Sequence, residues 1–274
     1  MELISVLYPI RNLKKLEIEN LNNSMNSFSK NEDFEIDFCI SDCGSSNSEV
    51  KLRENLDQGF SFNYSKHSGH YGYSKAINQG VLNLVETDLF VIASPDVLVP
   101  KDGLSEIVKL FNENNKMFMN RCRILKKEID NSLDYEKLDV EDNCELPVAL
   151  TRRIFRLLSK KQFLEIKGYD EAFPDNFKGA EHLDFMFRYC LFHNFSTDWY
   201  AYNYKLFGLK QYNSINDINE KNKDGIKFVS SKLEIMLKVK LLIKKKNDNH
   251  NIRLRKTSLK RETMKYIYPI ETSI

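Results

Sequence analysis

Short apolar runs alternate with longer stretches of helical spacing along the first half of the chain. Leu3 to Tyr8 (LISVLY) is a β-type run ending at Pro9, and Leu13 to Ser29 has helical spacing. Phe34 to Ser41 (FEIDFCIS) reads as a second strand, closed by DCGSSN, a cluster of turn formers. Tyr73 to Val85 returns to helical spacing through Ala76, Ile77, Val81, Leu82 and Val85. Leu89 to Ala93 (LFVIA) is apolar throughout, as a fully buried strand is, and ends at Ser94-Pro95-Asp96. Leu104 to Asn112 is helical again. This alternation, with turns at the strand C-termini, predicts an α/β fold with a mainly parallel sheet flanked by helices. Such sheets bind ligands beyond the C-terminal ends of their strands. Asp42 and Asp96 both fall there.

The second half is less regular. Ile124 to Asn143 is charged and irregular, which predicts an exposed insertion. Ser159 is placed to N-cap a short helix, Lys160 to Ile166, and Gly168 stands where a C-terminal glycine stops it. After GYDEAFPDNFKGA a helix is expected from near Glu181 to about Phe192, followed by the strand-like DWYAYNYKLFG. The polar NSINDINEKNKDG (Asn213 to Gly225) reads as a linker. The expected organisation is a domain over residues 1–212 and a basic, helical C-terminal extension within 213–274, in which Ile226, Val229, Leu233, Met236 and Ile243 keep near-helical spacing.

Charge sharpens that division. The net charge of the 274 residues is only +2. Yet 15 basic and 4 acidic residues lie between Lys221 and Lys265, against 26 basic and 35 acidic elsewhere. An acidic body carries a basic tail. Ordinary proportions of hydrophobic (42%) and charged (29%) residues exclude collagen-like, coiled-coil and wholly disordered classes. The five scattered cysteines form no CxxC pair, so reduced thiols in the cytosol are expected. No signal-peptide pattern opens the chain, and no apolar run reaches the ~18 residues that cross a bilayer. The expected location is cytoplasmic, with the tail available for three roles: packing on the domain or on a second copy, lying on the anionic inner face of a membrane, or binding nucleic acid. No RNA- or DNA-binding motif accompanies the charge, so nucleic acid is not expected as a partner.

Four clusters carry the chemistry. They are Pro9-Ile10-Arg11-Asn12, Asp42 in ISDCGSSN, HYGYSKAINQG (His70 to Gly80) with Ser94-Pro95-Asp96 after it, and GYDEAF (Gly168 to Phe173) with KGAEHLDFMFR (Lys178 to Arg188). Singly each is a weak signal, since a lone Asp after a strand is commonly a cap. In this order and spacing they resemble the GT-A nucleotide-sugar glycosyltransferases, especially family 2. The fourth cluster also resembles the C-terminal motif of galactosyl- and N-acetylgalactosaminyltransferases. The resemblance covers roughly residues 1–212. PIRN resembles Pro-x-Arg-Asn, and Asp42 matches the Asp of Val-Asp-Asp-Gly-Ser. Gly72, Ala76, Asn78 and Gly80 match Asn-x-Gly-x-x-x-Ala-Arg-Asn-x-Gly, with His70 and Ile77 departing from it. Asp96 matches the second acid of the metal-binding Asp-x-Asp, whose first place holds Ser94. GYDEAF and GAEHLD resemble Gly-Gly-Phe-Asp-Glu and Gly-Gly-Glu-Asp-x-Asp.

The resemblance implies a nucleotide-sugar donor of UDP-galactose or UDP-N-acetylgalactosamine type. It implies a glycan or lipid-linked saccharide acceptor, as in bacterial capsule or lipooligosaccharide synthesis, and transfer with inversion. Pro9, Arg11, Asp42, Lys75 and Ser94 would meet the nucleotide, while Asp170 and Glu171 would fix their loop and touch a sugar. Asp96 would hold Mg²⁺ or Mn²⁺ against the diphosphate, whose leaving charge a cation absorbs. No His follows KLFG (Lys205 to Gly208) to complete a metal site as in several relatives, which leaves basic residues such as Lys75 to share that work. The acceptor hydroxyl needs a general base. Glu181, His182 and Asp184 are the candidates, with His182 where relatives often carry an acid. Residues at a helix N-terminus can equally be acids favoured by the dipole. His67 and His70 lack a nearby third ligand. Two other readings stay open: a non-catalytic, glycosyltransferase-like subunit that binds nucleotide or glycan, and a sugar nucleotidyltransferase, which would carry a Gly-rich phosphate loop that PIRNLKKLE lacks.

Overall fold

The computed structural model describes residues 1–46, 48–56, 59–67, 72–114 and 155–171, together with Glu181, His182, Asp184, Phe185, Arg188 and Tyr189 and the backbone of 118–119, 122–125, 140–141 and 206–208. His70, most of the expected insertion, the linker and the basic tail lie outside the described residues.

The elements run β1 (Glu2–Ile10), α1 (Lys15–Ser29), β2 (Phe34–Asp42), α2 (Ser48–Asn55), β3 (Phe62–Lys66), α3 (Tyr73–Asn83), β4 (Leu89–Ala93), β5 (Val97–Leu98), α4 (Gly103–Asn114), β6 (Phe118–Met119), β7 (Cys122–Leu125), β8 (Val140–Glu141), β9 (Phe155–Ser159), α5 (Lys160–Glu165) and β10 (Leu206–Gly208). The main sheet has the order β3-β2-β1-β4-β9-β6. β3, β2, β1 and β4 are parallel, and β9 runs antiparallel between β4 and β6. The expected α/β fold with a mainly parallel sheet flanked by helices is therefore the observed one.

β1 continues past Tyr8 through Pro9 to Ile10. Proline is tolerated there because pairing with β4 spans only Ser5 to Leu7, leaving no ladder on that side for its missing N–H to serve. Alternation then assigns the faces. Ile4, Val6, Tyr8 and Ile10 join Phe38, Ile40, Val91, Ala93, Phe155 and Leu157 in a core closed by α1 and α4. Leu7, Phe90 and Ile92 point to the other face, where α3 packs.

Three elements escape a reading by periodicity. α2 and β3 are mostly polar or exposed, so neither carries a clear apolar period. β9 contains Arg156 within an otherwise apolar run. A smaller sheet, β5-β10-β7-β8, corrects the picture of an irregular 124–143 insertion. Ile124 pairs with Glu141 and Leu125 with Val140, so a ladder closes the loop at its base.

Two contacts fix the elements that bear the candidate residues. On α1 the Ser24 hydroxyl donates to the Val97 carbonyl at 2.6 Å and Ser27 Oγ accepts from Val99 N–H at 3.1 Å, and just past the helix Asn31 accepts from Leu104 N–H at 3.2 Å. These buried polar residues hold the segment just after Asp96 in place. On α3, Gly80 allows close approach to the sheet. A Cβ there would meet Leu7 Cδ1 at 2.6 Å and Ser41 Cβ at 3.0 Å. Gly80→Val is expected to cost about 1–3 kcal/mol by overpacking, read as a lowered urea midpoint; an unchanged midpoint would contradict this packing.

Candidate active site

The C-terminal edge of the parallel strands gathers the first two clusters. Ile10, Asp42 and Lys66 end neighbouring strands in register. Asp42 is fully buried. Its Oδ1 accepts from Ser45 N–H (2.9 Å) and Ser45 Oγ (2.6 Å), and its Oδ2 accepts from the Tyr64 hydroxyl (2.6 Å). Ser45 Oγ also accepts from Asn12 N–H at 2.6 Å, where Asn12 turns the chain at φ 47°. The PIRN loop and Asp42 are thus one connected unit, with Pro9 buried and Arg11 exposed at its rim. His67 Nε2 lies 2.9 Å from Ser41 Oγ, and burial lowers its pKa. Half-buried Lys75 lies near enough to push the same way.

Asp96 and Ser94 follow β4 in a turn closed by Val97 N–H to the Ser94 carbonyl at 3.2 Å, and both are buried. Immediately after, Val97 pairs with Gly208 and Leu98 with Phe207. Phe207 and Gly208 therefore run beside the two residues that follow Asp96. Among the described residues no group of three or more His, Cys, Asp or Glu converges on a metal position.

The third and fourth clusters meet each other. Asn78, on α3, accepts from Tyr169 N–H (2.8 Å) and donates to the Tyr169 carbonyl (2.8 Å) and to Glu171 Oε1 (2.9 Å). Ser159 caps α5 through Gln162 N–H, and Gly168 follows the helix at φ 61°. This geometry accounts for Asn78, Gly168 and Glu171 as the staple of one loop. Asp170, half-buried, lies within it.

Beyond that loop, Glu181, His182, Asp184, Phe185, Arg188 and Tyr189 have helical backbone. Phe185 stacks on Tyr169 with centroids 4.3 Å apart, which seats this segment against the loop after α5. The three base candidates have different surroundings. Asp184 is 3% exposed and binds Arg188 Nε at 2.7 Å, while Arg188 Nη1 donates to the Ile166 carbonyl. His182 is buried, with Nδ1 3.1 Å from Arg156 Nη1 and 3.2 Å from the Tyr169 hydroxyl. Burial first, then the Arg156 charge, holds its pKa well below the ordinary value. Glu181 keeps a partly open side chain (15% exposed), with Oε1 3.8 Å from His182 Nε2. Tyr73, the first residue of α3, stands edge-on to His182 at 5.0 Å.

Sequence reasoning assigned no role to Ser45, Arg156 or Tyr169. Only Arg156 left a readable trace, as a lone cation inside an apolar strand.

No protein-family model and no curated protein sequence matches the chain. Solved structures do. S. aureus TarS superimposes with a TM-score of 0.54 at 12% identity, over 84% of this chain and 39% of TarS. TarS 1–349 in complex with UDP-GlcNAc gives 0.57 at 12% identity, over 84% of this chain and 66% of that one. The complex of TarS 1–349 with UDP gives 0.54 at 13% identity, over 84% and 65%. The chain thus spans 39–66% of the length of these structures. At such identity the likeness is one of fold: a mixed α/β, mostly parallel sheet flanked by helices in the GT-A, Rossmann-like manner.

Proposed function

We propose that this protein is a glycosyltransferase that moves a sugar from a nucleotide-sugar donor to a glycan acceptor with inversion. The observation that carries the reading is topological: Asp42 ends β2 and Asp96 follows β4 in one parallel sheet, and Arg156, which contacts His182, pairs with Ile92 near the same end of β4. A fold shared with a protein that binds UDP-GlcNAc and UDP at these coverages supports it.

In this reading the nucleoside lies along Pro9, Arg11 and Asp42. Asp42 is buried and locked by Ser45 and Tyr64, and through Ser45 it fixes the Asn12 end of the PIRN loop, so that loop needs little reorganisation on binding. Asp96 would hold a divalent cation, which would supply positive charge for the leaving diphosphate, and Ser94 would meet the nucleotide beside it. Lys75 adds positive charge on that side. Glu181 takes the proton of the attacking acceptor hydroxyl. Exposure singles out Glu181: its side chain is 15% exposed, whereas Asp184 and His182 are buried. The donor is a UDP-sugar, of galactose or N-acetylgalactosamine type by the family resemblance. The acceptor is a growing surface glycan, and the basic tail docks the enzyme on the inner membrane face. Among the described residues no helix is long and apolar enough to cross a membrane.

The test is donor hydrolysis and transfer across UDP-, GDP- and dTDP-sugars, with and without Mn²⁺. Turnover of a UDP-sugar is the expected result. Nucleotide binding with no turnover across the panel would favour the second reading, a non-catalytic binding subunit, which the ion-paired Asp184 and the engaged His182 motivate. Asp96→Ala is expected to remove metal stimulation of donor binding by calorimetry. Metal stimulation equal to the parent's would sink its role.

A further inference from the structure

We infer that Arg156 is a positioning residue: from β9 it holds His182 as the neutral imidazole protonated on Nε2, so that Nε2–H faces the Glu181 side and the ring does not itself take a proton. The purpose of this arrangement rests on the glycosyl-transfer reading, but its geometry does not.

Arg156 pairs with Ile92 of β4 in the interior of the sheet and is 2% exposed. A cation placed there is costly unless its donors are engaged. Arg156 Nη1 donates to the Tyr169 hydroxyl and lies 3.1 Å from His182 Nδ1. Arg156 Nε has no hydrogen-bond partner among the described residues, so the engagement of this guanidinium runs toward the Tyr169–His182 pair.

A guanidinium has donors only and keeps its proton throughout the accessible pH range. His182 Nδ1 must therefore be the acceptor, and a neutral ring then carries its proton on Nε2. Tyr169 reinforces this. Burial pushes its hydroxyl up to about 12, so it remains an O–H beside the same Nδ1. The titratable or charged groups facing the ring, among the described residues, are Arg156 from β9, Tyr169, Tyr73 from α3 and Glu181. Of these, Glu181 is the carboxylate on the Nε2 side, with Oε1 3.8 Å away. Protonating the ring would set a second positive charge against a buried guanidinium. His182 thus keeps its proton on the side that faces the Glu181 carboxylate.

The test reads the tautomer directly. Long-range ¹H–¹⁵N imidazole spectra of the full-length, ¹⁵N-labelled protein would be recorded without ligand, with His182 assigned by its loss in His182→Gln. The expected wild-type pattern is Nε2–H, unchanged between about pH 5 and 8. In Arg156→Met, His182 should begin to titrate in that window, and Arg156→Lys should suppress the titration again. In donor turnover, Arg156→Met should lower kcat about tenfold or more with donor KM held within about threefold. An Nδ1–H pattern, or a titrating His182, in the wild type overturns the inference, and so does an unaltered His182 signal in folded Arg156→Met. Should Arg156→Met fail to fold, the wild-type spectrum decides by itself. An Nε2–H pattern in a protein that turns over no donor would support the tautomer and overturn the functional reading, so the two failures are distinct.

Discussion

Glu181→Gln is expected to lower donor turnover by about 10²–10⁴-fold, the usual contribution of a positioned general base, while UDP still binds. Gln keeps the shape and the hydrogen-bonding capacity of Glu181 but cannot accept the acceptor's proton. The effect should fall on kcat and kcat/KM together, because the proton moves only in the transition state. His182→Gln should cost less, since that residue takes no proton in this arrangement. Asp184→Asn should act chiefly on stability. It breaks a buried pair with Arg188 at 2.7 Å and leaves that guanidinium over the Ile166 carbonyl without its carboxylate. Initial rates with a UDP-sugar, set beside UDP affinity by calorimetry, separate the three. If Glu181→Gln keeps a rate within tenfold of the parent while Asp184→Asn or His182→Gln collapses, the base has been misassigned.

Gly168→Ala should be the most destabilising single-methyl change in the described structure, at about 2–5 kcal/mol from left-handed strain and broken buried hydrogen bonds together. The added Cβ would stand 2.3 Å from Asn78 Oδ1 and 2.8 Å from the Phe163 ring, at φ +61°. Neither neighbour yields easily. Asn78 is bound to both backbone groups of Tyr169, and Phe163 packs edge-on against Phe90 with centroids 5.7 Å apart. Moving Asn78 aside releases Tyr169, which contacts both Arg156 and His182. The variant should therefore lose activity beyond its loss of stability. Urea denaturation checks the first effect, and turnover well below the unfolding transition checks the second. A midpoint change worth less than about 1 kcal/mol would contradict the placement of Gly168.

Much of this arrangement could be read from the chain. The period-2 and period-3.6 runs up to Asn112 correspond to β1, α1, β2, α3, β4 and α4, with differences of one or two residues at their ends. Ser159 and Gly168 bracket α5 as capping chemistry requires. Each of these signals lies within a window of a few residues. α2, β3 and β9 were not readable, because polar, edge or interrupted segments take their conformation from the neighbours they pair with.

The functional groups divide along the same line. Sequence by itself determined that carboxylates stand at the C-terminal ends of β2 and β4, and that Glu181, His182 and Asp184 open a helical stretch. It could not tell these three apart, since each is a competent polar residue when only its neighbours in the chain are known. Tertiary structure separated them by partner and burial. Asp184 goes to Arg188, His182 to an arginine 26 positions earlier on a reversed strand, and Glu181 keeps a partly open side chain. The staple between Asn78 and Tyr169 joins residues 91 positions apart. The physical reason is that turn chemistry and periodicity are properties of adjacent residues. The availability of a proton acceptor depends on which donors the fold brings to it and how much water it leaves.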